Sequence, residues 1–349
     1  MSEQISRKAK SSRFKQFLNI FTLLGMVFLI YASRHQIAET LQNLQSIKAW
    51  VLWFMILWQL INYHAYTELY RELFDILGHK KIEYKKMYKA AVELNFVNHV
   101  FPSAGVVGFS YFSWRMKDFG IPTSKSTLVQ MMRFVTVFAT FQLLILAGVI
   151  MLALDGKANN FTILVAGSLG TAMAIGSVGI VYIAGSKTRI NAFTVGLTKG
   201  LNKIIQVVRP KHPETINIEG VQKLFYDLHD DYLILRKKYK SLKKPMVYAM
   251  LANVTELATI YMVYVAFGHL VNPGAVILAY AVANFAGLIA VLPGGIGIYE
   301  ALMAAILAAA GVPLSLAVSS TVMYRILSMA IQLPPGYYFY HKVINRSNK

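Results

Sequence analysis

The chain has 349 residues, of which 56% are hydrophobic and only 15% are charged, and its formal net charge is +19. Because a soluble domain carries about 25% charged residues, this composition excludes an ordinary soluble protein and indicates a membrane protein. There is no cysteine, which excludes disulfides and thiolate metal sites, and the 8 histidines are scattered, so we expect neither a metal centre nor another cofactor.

Long apolar runs separated by polar segments predict an all-α polytopic membrane protein. A helix needs about 20 apolar residues to cross the hydrocarbon core, and about six runs approach or exceed that length. We predict spanning helices at 16–34, 49–67, 126–154, 161–185, 246–270 and 314–341. The first run has no signal-peptide cleavage site, so we expect it to remain in place as a signal anchor.

The basic residues flank these runs, which argues against nucleic-acid binding and instead orients the helices. By the positive-inside rule, the basic segments before the first run, at 68–90, at 186–245 and in the C-terminal tail face the cytoplasm. The segments 35–48, 155–160 and 271–274 are short and poor in lysine and arginine, so we expect them outside. The sequence therefore predicts a multi-pass protein of the cell membrane with both termini in the cytoplasm.

Two apolar regions do not fit a simple crossing. The segment 87–101 has 15 residues, about 22 Å as a helix, which is short for a span, and Pro102 then breaks it. A basic segment follows, so we predict a re-entrant helical hairpin that enters over 87–118 from the cytoplasm. The segment 275–310 is broken at Pro293 and must begin and end outside. We predict a second re-entrant helical hairpin there.

The two hairpins predict an inverted repeat, in which residues 1–155 and 156–349 have opposite orientations in the membrane. Matching strings mark the two halves. Pro102 is followed by Gly120-Ile121-Pro122 and then by Arg133, whereas Pro293 is followed by Gly311-Val312-Pro313 and then by Arg325. In each half the glycine lies 18 residues after the proline. A duplicated, interrupted apolar segment of this kind points to a transporter-like site.

The segment 186–245 is a long polar insert with a helical pattern. Apolar residues recur at helical spacing and predict two amphipathic helices, with Ile190, Phe193, Leu197, Leu201, Ile204 and Val208 in the first, and Val221, Leu224, Phe225, Leu228, Tyr232, Leu235 and Tyr239 in the second. Basic residues between the apolar positions suit the inner surface of the membrane. The alternative is a cytoplasmic helical hairpin that packs on the bundle, and the pattern favours neither.

The breaks in the two hairpins are the first candidate binding site. Non-helical backbone at membrane depth is stable only beside protein or a wet cavity. The helix after each break begins near the midplane with free N–H groups that attract an anion such as phosphate. Glycines allow close backbone approach there, namely Gly105 and Gly108 in the first copy and Gly294, Gly295 and Gly297 in the second. Ordinary helix kinks are the alternative interpretation.

Charged residues inside the apolar runs are the second group of candidates. An arginine at mid-span costs roughly 2.5–3.5 kcal/mol, so Arg133 and Arg325 are expected to face the interior and hold a phosphate bidentately. The alternative for Arg133 is to snorkel to the membrane surface. Glu300 either pairs with Arg325 or binds a cationic headgroup, and Tyr324 orients its charged neighbour. The candidates for a polar cavity or a proton relay are Glu93, Asn95, Asn98, His99, Asn253 and Glu256.

Three motifs are similar to those of a known family. They are Asn95 with Pro102-Ser103-Ala104-Gly105-Val106-Val107-Gly108, then Pro293-Gly294-Gly295-Ile296-Gly297-Ile298-Tyr299-Glu300, and finally Tyr324-Arg325. Together they resemble the lysylphosphatidylglycerol synthase transmembrane-region family, also called flippase-like integral membrane proteins, over roughly residues 15–342. Many members have an acidic residue where Val106 stands, so the resemblance implies a less charged first copy in this chain.

In larger members of that family, a soluble domain transfers lysine or another amino acid from aminoacyl-tRNA to phosphatidylglycerol. Their membrane region is thought to flip the product outward, where it repels cationic antimicrobial peptides. The resemblance implies that this chain, without that domain, is a translocator of an anionic or aminoacylated phospholipid. The alternatives are a phosphatidylglycerol lysyltransferase-type protein working with a separate soluble transferase, and a non-catalytic membrane scaffold.

The residues and the resemblance together predict a substrate-binding set without catalytic residues. Its members are Asn95, Pro102, Gly105, Gly108, Arg133, Pro293, Gly294, Gly295, Gly297, Glu300, Tyr324 and Arg325.

Overall fold

The computed structural model describes residues 24, 27, 31, 34–45, 47–79, 82–101, 106–193, 195–196, 218–289 and 297–346. Within these ranges the regular structure is helical throughout, as the composition predicts. The helices are α1 (Arg34–Asn43), α2 (Trp53–Ile76), α3 (Tyr84–Val100), α4 (Val106–Lys117), α5 (Thr123–Leu154), α6 (Asn160–Ala184), α7 (Ile218–Lys237), α8 (Lys243–Ala266), α9 (Pro273–Ile289), α10 (Ile298–Ala309) and α11 (Leu314–Arg346). Short 3-10 turns, Ala49–Leu52 and Tyr239–Leu242, lead into α2 and α8.

Four helical stretches in the described ranges are long and apolar enough to cross a membrane. They are α5, α6, the stretch Tyr239–Ala266 that contains α8, and Leu314–Asn345 within α11. They match the last four predicted spans, and the all-α membrane architecture is confirmed. The span predicted at 16–34 lies largely outside the described residues.

Helix α2 continues to Ile76, past residue 67, where the span over 49–67 was predicted to end. Glu68 is buried in this extension, and its carboxylate pairs with the guanidinium of Arg71. The Nε atom of Arg71 also donates a hydrogen bond to the carbonyl of Ile82 at 2.7 Å. Because protein groups match these charges, the helix continues through a segment that the charge pattern alone assigns to a loop.

Corresponding arms of the two predicted hairpins have the same length. In the first, α3 has 17 residues and α4 has 12, and in the second, α9 has 17 and α10 has 12. At 1.5 Å per residue, the arms are about 26 Å and about 18 Å long, which is short of a hydrocarbon core of about 30 Å. Such arms suit re-entrant hairpins. The turns between them, at 102–105 and 290–296, lie outside the described residues.

The helices pack in a pattern that repeats between the halves. The α3 arm packs against α11, and correspondingly the α9 arm packs against α5. In the same way α4 packs on α5 and α10 on α11, while α2 and α8 form an extensive central pair. Suppose that α2, α3, α4 and α5 are exchanged with α8, α9, α10 and α11, in that order. The contact of α3 with α11 then becomes that of α9 with α5, the contact of α4 with α5 becomes that of α10 with α11, and the α2–α8 pair is unchanged. A twofold-related repeat requires this correspondence. The opposite membrane orientation of the halves 1–155 and 156–349 stays a prediction.

The buried apolar side chains form two large cores at opposite ends of the bundle. The first core contains the C-terminal part of α2 and the N-terminal part of α5, including Leu73 and Leu128. The second core contains the N-terminal part of α2 and the C-terminal part of α5, including Met55 and Ile145. Met55 and Leu73 are about 27 Å apart along the helix axis at 1.5 Å per residue. The layer between the cores is therefore near the middle of the bundle.

Helix α7 of the polar insert packs on the bundle. Its residues Leu228, Tyr232 and Leu235 are buried in the first core, and Nδ1 of His229 lies 2.8 Å from the carbonyl of Ala184 at the end of α6. Helix α7 therefore has the packing on protein that the second alternative requires, and its position relative to the lipid surface stays a prediction. Most of the first amphipathic helix predicted in the insert lies outside the described residues.

The close approach of α9 to α5 depends on two glycines. A Cβ atom added at Gly274 would lie 2.2 Å from the carbonyl oxygen of Gly148, a backbone atom that cannot move aside alone. We expect Gly274→Ala to lower the free energy of unfolding by about 1–3 kcal/mol, measured by unfolding the purified protein in detergent. Gly167→Ala on α6, where the added Cβ meets nothing within 4 Å, is the control and should be neutral or slightly stabilising. Equal stability of Gly274→Ala and wild type would contradict this close approach.

Candidate functional site

A polar cavity of about 220 Å³ lies between the two apolar cores. Parts of α2, α3, α5, α8, α9, α10 and α11 form its wall, and the inner ends of both hairpins reach it. Nearly all of its lining side chains carry a polar group, the exceptions being Ala91, Leu94 and Met329. The fold therefore encloses a hydrogen-bonding chamber in the middle of an otherwise apolar bundle.

A network of amide side chains forms one part of the wall and joins α3 to α11. The Nδ2 atom of Asn95 donates to Oη of Tyr63 at 2.9 Å and to Oε1 of Gln332 at 2.8 Å. Gln332 in turn donates from Nε2 to Oε1 of Gln59 at 3.0 Å and to Oγ of Ser328 at 2.8 Å. The network fixes the inner end of the first hairpin against α2 and α11.

Arg133 enters the cavity wall from α5. Its guanidinium carbon lies 5.1 Å from the ring centre of Tyr66 and 4.9 Å from that of Phe134. The electrostatic neighbours of this guanidinium are the phenols of Tyr66 and Tyr70, and no carboxylate of the described ranges forms an ion pair with it. Arg133 thus faces the protein interior, whereas the snorkelling alternative would place it at the membrane surface.

Arg325 and Glu300 form an ion pair beside the cavity. The Nε atom of Arg325 lies 3.5 Å from Oε1 of Glu300, and its guanidinium carbon lies 4.4 Å from the ring centre of Tyr299. The second oxygen of Glu300 accepts a 2.7 Å hydrogen bond from the backbone N–H of Gly297, which caps α10. Gly297 has a φ of 89°, which a side chain would disfavour. Of the two alternatives for Glu300, the geometry shows pairing with Arg325.

Glu256 is a carboxylate surrounded by tyrosines. Its Oε1 atom accepts a 2.5 Å hydrogen bond from Oη of Tyr324. The phenols of Tyr63, Tyr280 and Tyr299 also lie within electrostatic reach of this carboxylate. In the part of the chain that the structure describes, no basic side chain forms an ion pair with Glu256. The cavity therefore holds an acidic side chain that has no basic partner among the described residues.

The structure brings four of the predicted binding residues together, because Asn95, Arg133, Tyr324 and Arg325 all line the cavity. Glu300 joins them through its pair with Arg325. Gly108 is not part of the wall but lets α4 approach α3, since a Cβ there would lie 1.9 Å from Oδ1 of Asn98. Gly297 caps α10 but is not part of the wall. The remaining predicted residues lie outside the described residues, namely Pro102, Gly105, Pro293, Gly294 and Gly295.

Several lining residues were not identified from the sequence. Gln59, Asn62 and Tyr66 on α2, Asn284 on α9 and Gln332 on α11 belong to the wall. The sequence contained a signal for the amides among them, because amide side chains are rare within lipid-exposed helices and usually face a protein interior or a cavity. The two glutamines both interrupt predicted spans.

Glu93 lies away from the cavity, contrary to its predicted place beside Asn95. Its Oε2 atom accepts hydrogen bonds from Oη of Tyr111 at 2.9 Å and from Nε of Arg115 at 2.8 Å. Glu93 and Asn95 are two residues apart on α3, so they point to different sides of the helix. The glutamate therefore joins the two arms of the first hairpin.

Comparisons with known proteins agree with the membrane architecture. The profile of a family described as "Lysylphosphatidylglycerol synthase TM region" matches residues 16–336. A "UPF0104 membrane protein" of Methanothermobacter thermautotrophicus is 36% identical over 90 residues, which are 26% of this chain and 27% of that protein. A second UPF0104 membrane protein, of Pyrococcus horikoshii, is 30% identical over 105 residues, which are 30% of this chain and 31% of that protein. The chain therefore aligns with less than a third of the length of each relative.

Proposed function

Because this chain belongs to the lysylphosphatidylglycerol synthase transmembrane-region family, we propose that it is a lipid translocator that moves a phospholipid headgroup between the two leaflets. The family match confirms the resemblance inferred from the motifs around Asn95, Pro293–Glu300 and Tyr324-Arg325. The chain is an integral multi-pass membrane protein, and a lipid is the kind of substrate that reaches a site inside such a bundle from its sides.

The polar cavity between the two apolar cores carries this proposal. Placing Arg133 in a span costs roughly 2.5–3.5 kcal/mol on insertion scales, and such intramembrane charges commonly mark a substrate pathway. A guanidinium matches phosphate geometry through two parallel hydrogen bonds. A chamber at this depth, with an arginine and many neutral hydrogen-bonding groups, suits a lipid headgroup that must leave water to cross.

The repeated packing supports alternating access to this chamber. The inner ends of both hairpins reach the cavity, and each hairpin packs on a long helix of the other half, α3 on α11 and α9 on α5. In the proposed cycle, one hairpin moves away from its long helix to admit the headgroup, and the other then moves to release it into the opposite leaflet. The acyl chains remain in lipid throughout.

The proposed cargo is an anionic or aminoacylated phospholipid, since Arg133 is available for its phosphate. By analogy with the family name, a separate soluble transferase is the proposed source of an aminoacylated lipid. Outward movement of such a lipid would make the cell envelope less negative and so increase resistance to cationic antimicrobial peptides.

Leaflet-resolved labelling in proteoliposomes tests this function. Vesicles containing the purified chain and a trace of fluorescent phospholipid are treated with an impermeant quencher, and the fraction of protected label is followed over time. We expect quenching beyond the outer-leaflet fraction in proteoliposomes but not in protein-free vesicles or in vesicles containing an unrelated helical membrane protein. Identical quenching in all three preparations would count against translocation.

Mass spectrometry separates translocation from lipid modification. Cells with and without the gene are compared for both their lipid inventory and the leaflet exposure of each lipid. A translocator is expected to change exposure while leaving the inventory intact. A lipid species that disappears with the gene would instead favour a modifying role.

A further inference from the structure

Of the four charged side chains described at the cavity, two form an ion pair with each other and two do not. Arg325 and Glu300 lie 3.5 Å apart and neutralise each other. Arg133 and Glu256 line the same cavity, yet neither forms an ion pair with the other or with another charged side chain of the described ranges. The wall therefore offers one positive and one negative group to a ligand.

Leaving these two charges separate is costly in an apolar bundle. A buried charge without a counter-ion destabilises a protein strongly, and at membrane depth such residues usually pair with one another or mark a ligand pathway. Arg133 on α5 and Glu256 on α8 come from different halves of the chain, and the two helices pack on each other. The arrangement is consistent with a ligand that carries both opposite charges.

Each of the two groups has the chemistry of a specific ligand moiety. Arg133 presents a planar fork of donors that matches two oxygens of a phosphodiester. Glu256 lies among Tyr63, Tyr280 and Tyr324, and a carboxylate with nearby phenols and aromatic rings binds a primary ammonium by ion pairing, hydrogen bonding and cation–π attraction. Tyr299 adds a 5% exposed side chain whose hydroxyl has no hydrogen-bond partner in the described structure.

We propose that the cavity binds a zwitterionic phospholipid headgroup with one ammonium and one phosphodiester, in which Glu256 receives the ammonium and Arg133 the phosphate. The inference narrows the proposed cargo to headgroups that carry one ammonium, which excludes anionic headgroups without an amine. It also names a specificity-determining residue, and it rests on the proposed function for its biological use. A headgroup with two ammonium groups would bring a second cation, whereas Glu300 is already engaged by Arg325. A headgroup without an amine would leave Glu256 unmatched.

Binding of water-soluble headgroups to the purified full-length chain in detergent tests this inference. Glycerophosphoethanolamine supplies both charges, and glycerophosphoglycerol supplies only the phosphodiester. We expect the wild-type protein to bind the first at least tenfold more tightly in calorimetric titration. Glu256→Gln should weaken glycerophosphoethanolamine binding by about tenfold and leave glycerophosphoglycerol binding unchanged. Arg133→Gln should weaken the binding of both compounds.

Glu83→Gln is the control, because Glu83 is an exposed glutamate that precedes α3 and pairs with Lys86. We expect it to bind both compounds as the wild type does. Equal affinity of the wild-type protein for the two compounds would overturn the proposal, and so would a Glu256→Gln variant that retains the wild-type preference. If the variant does not fold, the comparison of the two compounds on wild-type protein decides the question alone.

The binding result is independent of lipid movement. A preference for the amine-bearing headgroup in a protein that moves no lipid would support the zwitterion site and reject the translocator. Lipid movement without that preference would support the translocator and reject the zwitterion site.

Discussion

Replacing Arg133 with glutamine is expected to slow phospholipid movement in proteoliposomes by about tenfold to a hundredfold. A hydrogen bond between charged groups contributes about 1.5–3 kcal/mol, and each 1.4 kcal/mol corresponds to a factor of about ten. Arg325 also lines the cavity but is paired with Glu300, so we do not expect it to replace Arg133. The quenching assay on matched amounts of reconstituted protein measures the effect.

Two further variants isolate the role of the guanidinium. Arg133→Lys keeps the charge but loses the planar fork, so we expect a rate between those of Arg133→Gln and the wild type. Arg236→Gln removes an exposed arginine on α7, far from the cavity wall, and should move lipid at the wild-type rate. Full activity in Arg133→Gln would show that phosphate binding at this arginine is not needed.

Replacing Glu300 with alanine is expected to lower the free energy of unfolding by about 3–5 kcal/mol, the usual effect of removing one partner of a buried ion pair. The side chains of Arg325 and Glu300 are 11% and 10% exposed, so water does little to screen the arginine charge that remains. The variant also loses the hydrogen bond from Gly297 that caps α10. Denaturant titration of the purified protein in mixed micelles measures the change.

The double variant Glu300→Ala with Arg325→Met tests whether loss of the ion pair causes the destabilisation of Glu300→Ala. Because it also removes the charge that Glu300 had paired with, it should recover more than half of the lost stability, and the lost cap would account for the remainder at about 1 kcal/mol. Glu83→Ala, at an exposed pair, should stay within about 0.5 kcal/mol of wild type. Equal destabilisation of the single and double variants would exclude an ion-pair effect.

The positions of the helices along the chain are predicted well, because hydropathy and charge can be read from short segments of sequence. Runs of apolar residues mark the long helices. The breaks at Pro102 and Pro293 indicate two interrupted segments, and the structure shows the helices before them as α3 and α9. Their re-entrant course in the membrane stays a prediction. The continuation of α2 to Ile76 was not predicted, because the hydropathy pattern treats every charge as exposed. The pairing of Glu68 with Arg71 inside the protein is a tertiary contact, and hydropathy does not register it.

The cavity was predicted only in part because its contacts join distant positions. Arg133 and Arg325 were found from their cost in an apolar run, which is a local signal. The hydrogen bond between Gln59 and Gln332 joins residues 273 positions apart, and spacing along the chain gives no sign of it. Likewise, the absence of a counter-ion at Glu256 in the described structure depends on which helices face α8, which only the assembled bundle determines.

The helices that pass the polar layer also contain hydroxyl groups that favour helix curvature. Thr136 and Thr140 on α5, and Thr255 and Thr259 on α8, donate their hydroxyls to carbonyls four residues earlier, a bond that favours curvature. All four threonines lie in the segments that pass the polar layer. Each core is close-packed and resists deformation, so flexing concentrates at this level. The two cores would then move as rigid units, with the flexible level at the cavity between them.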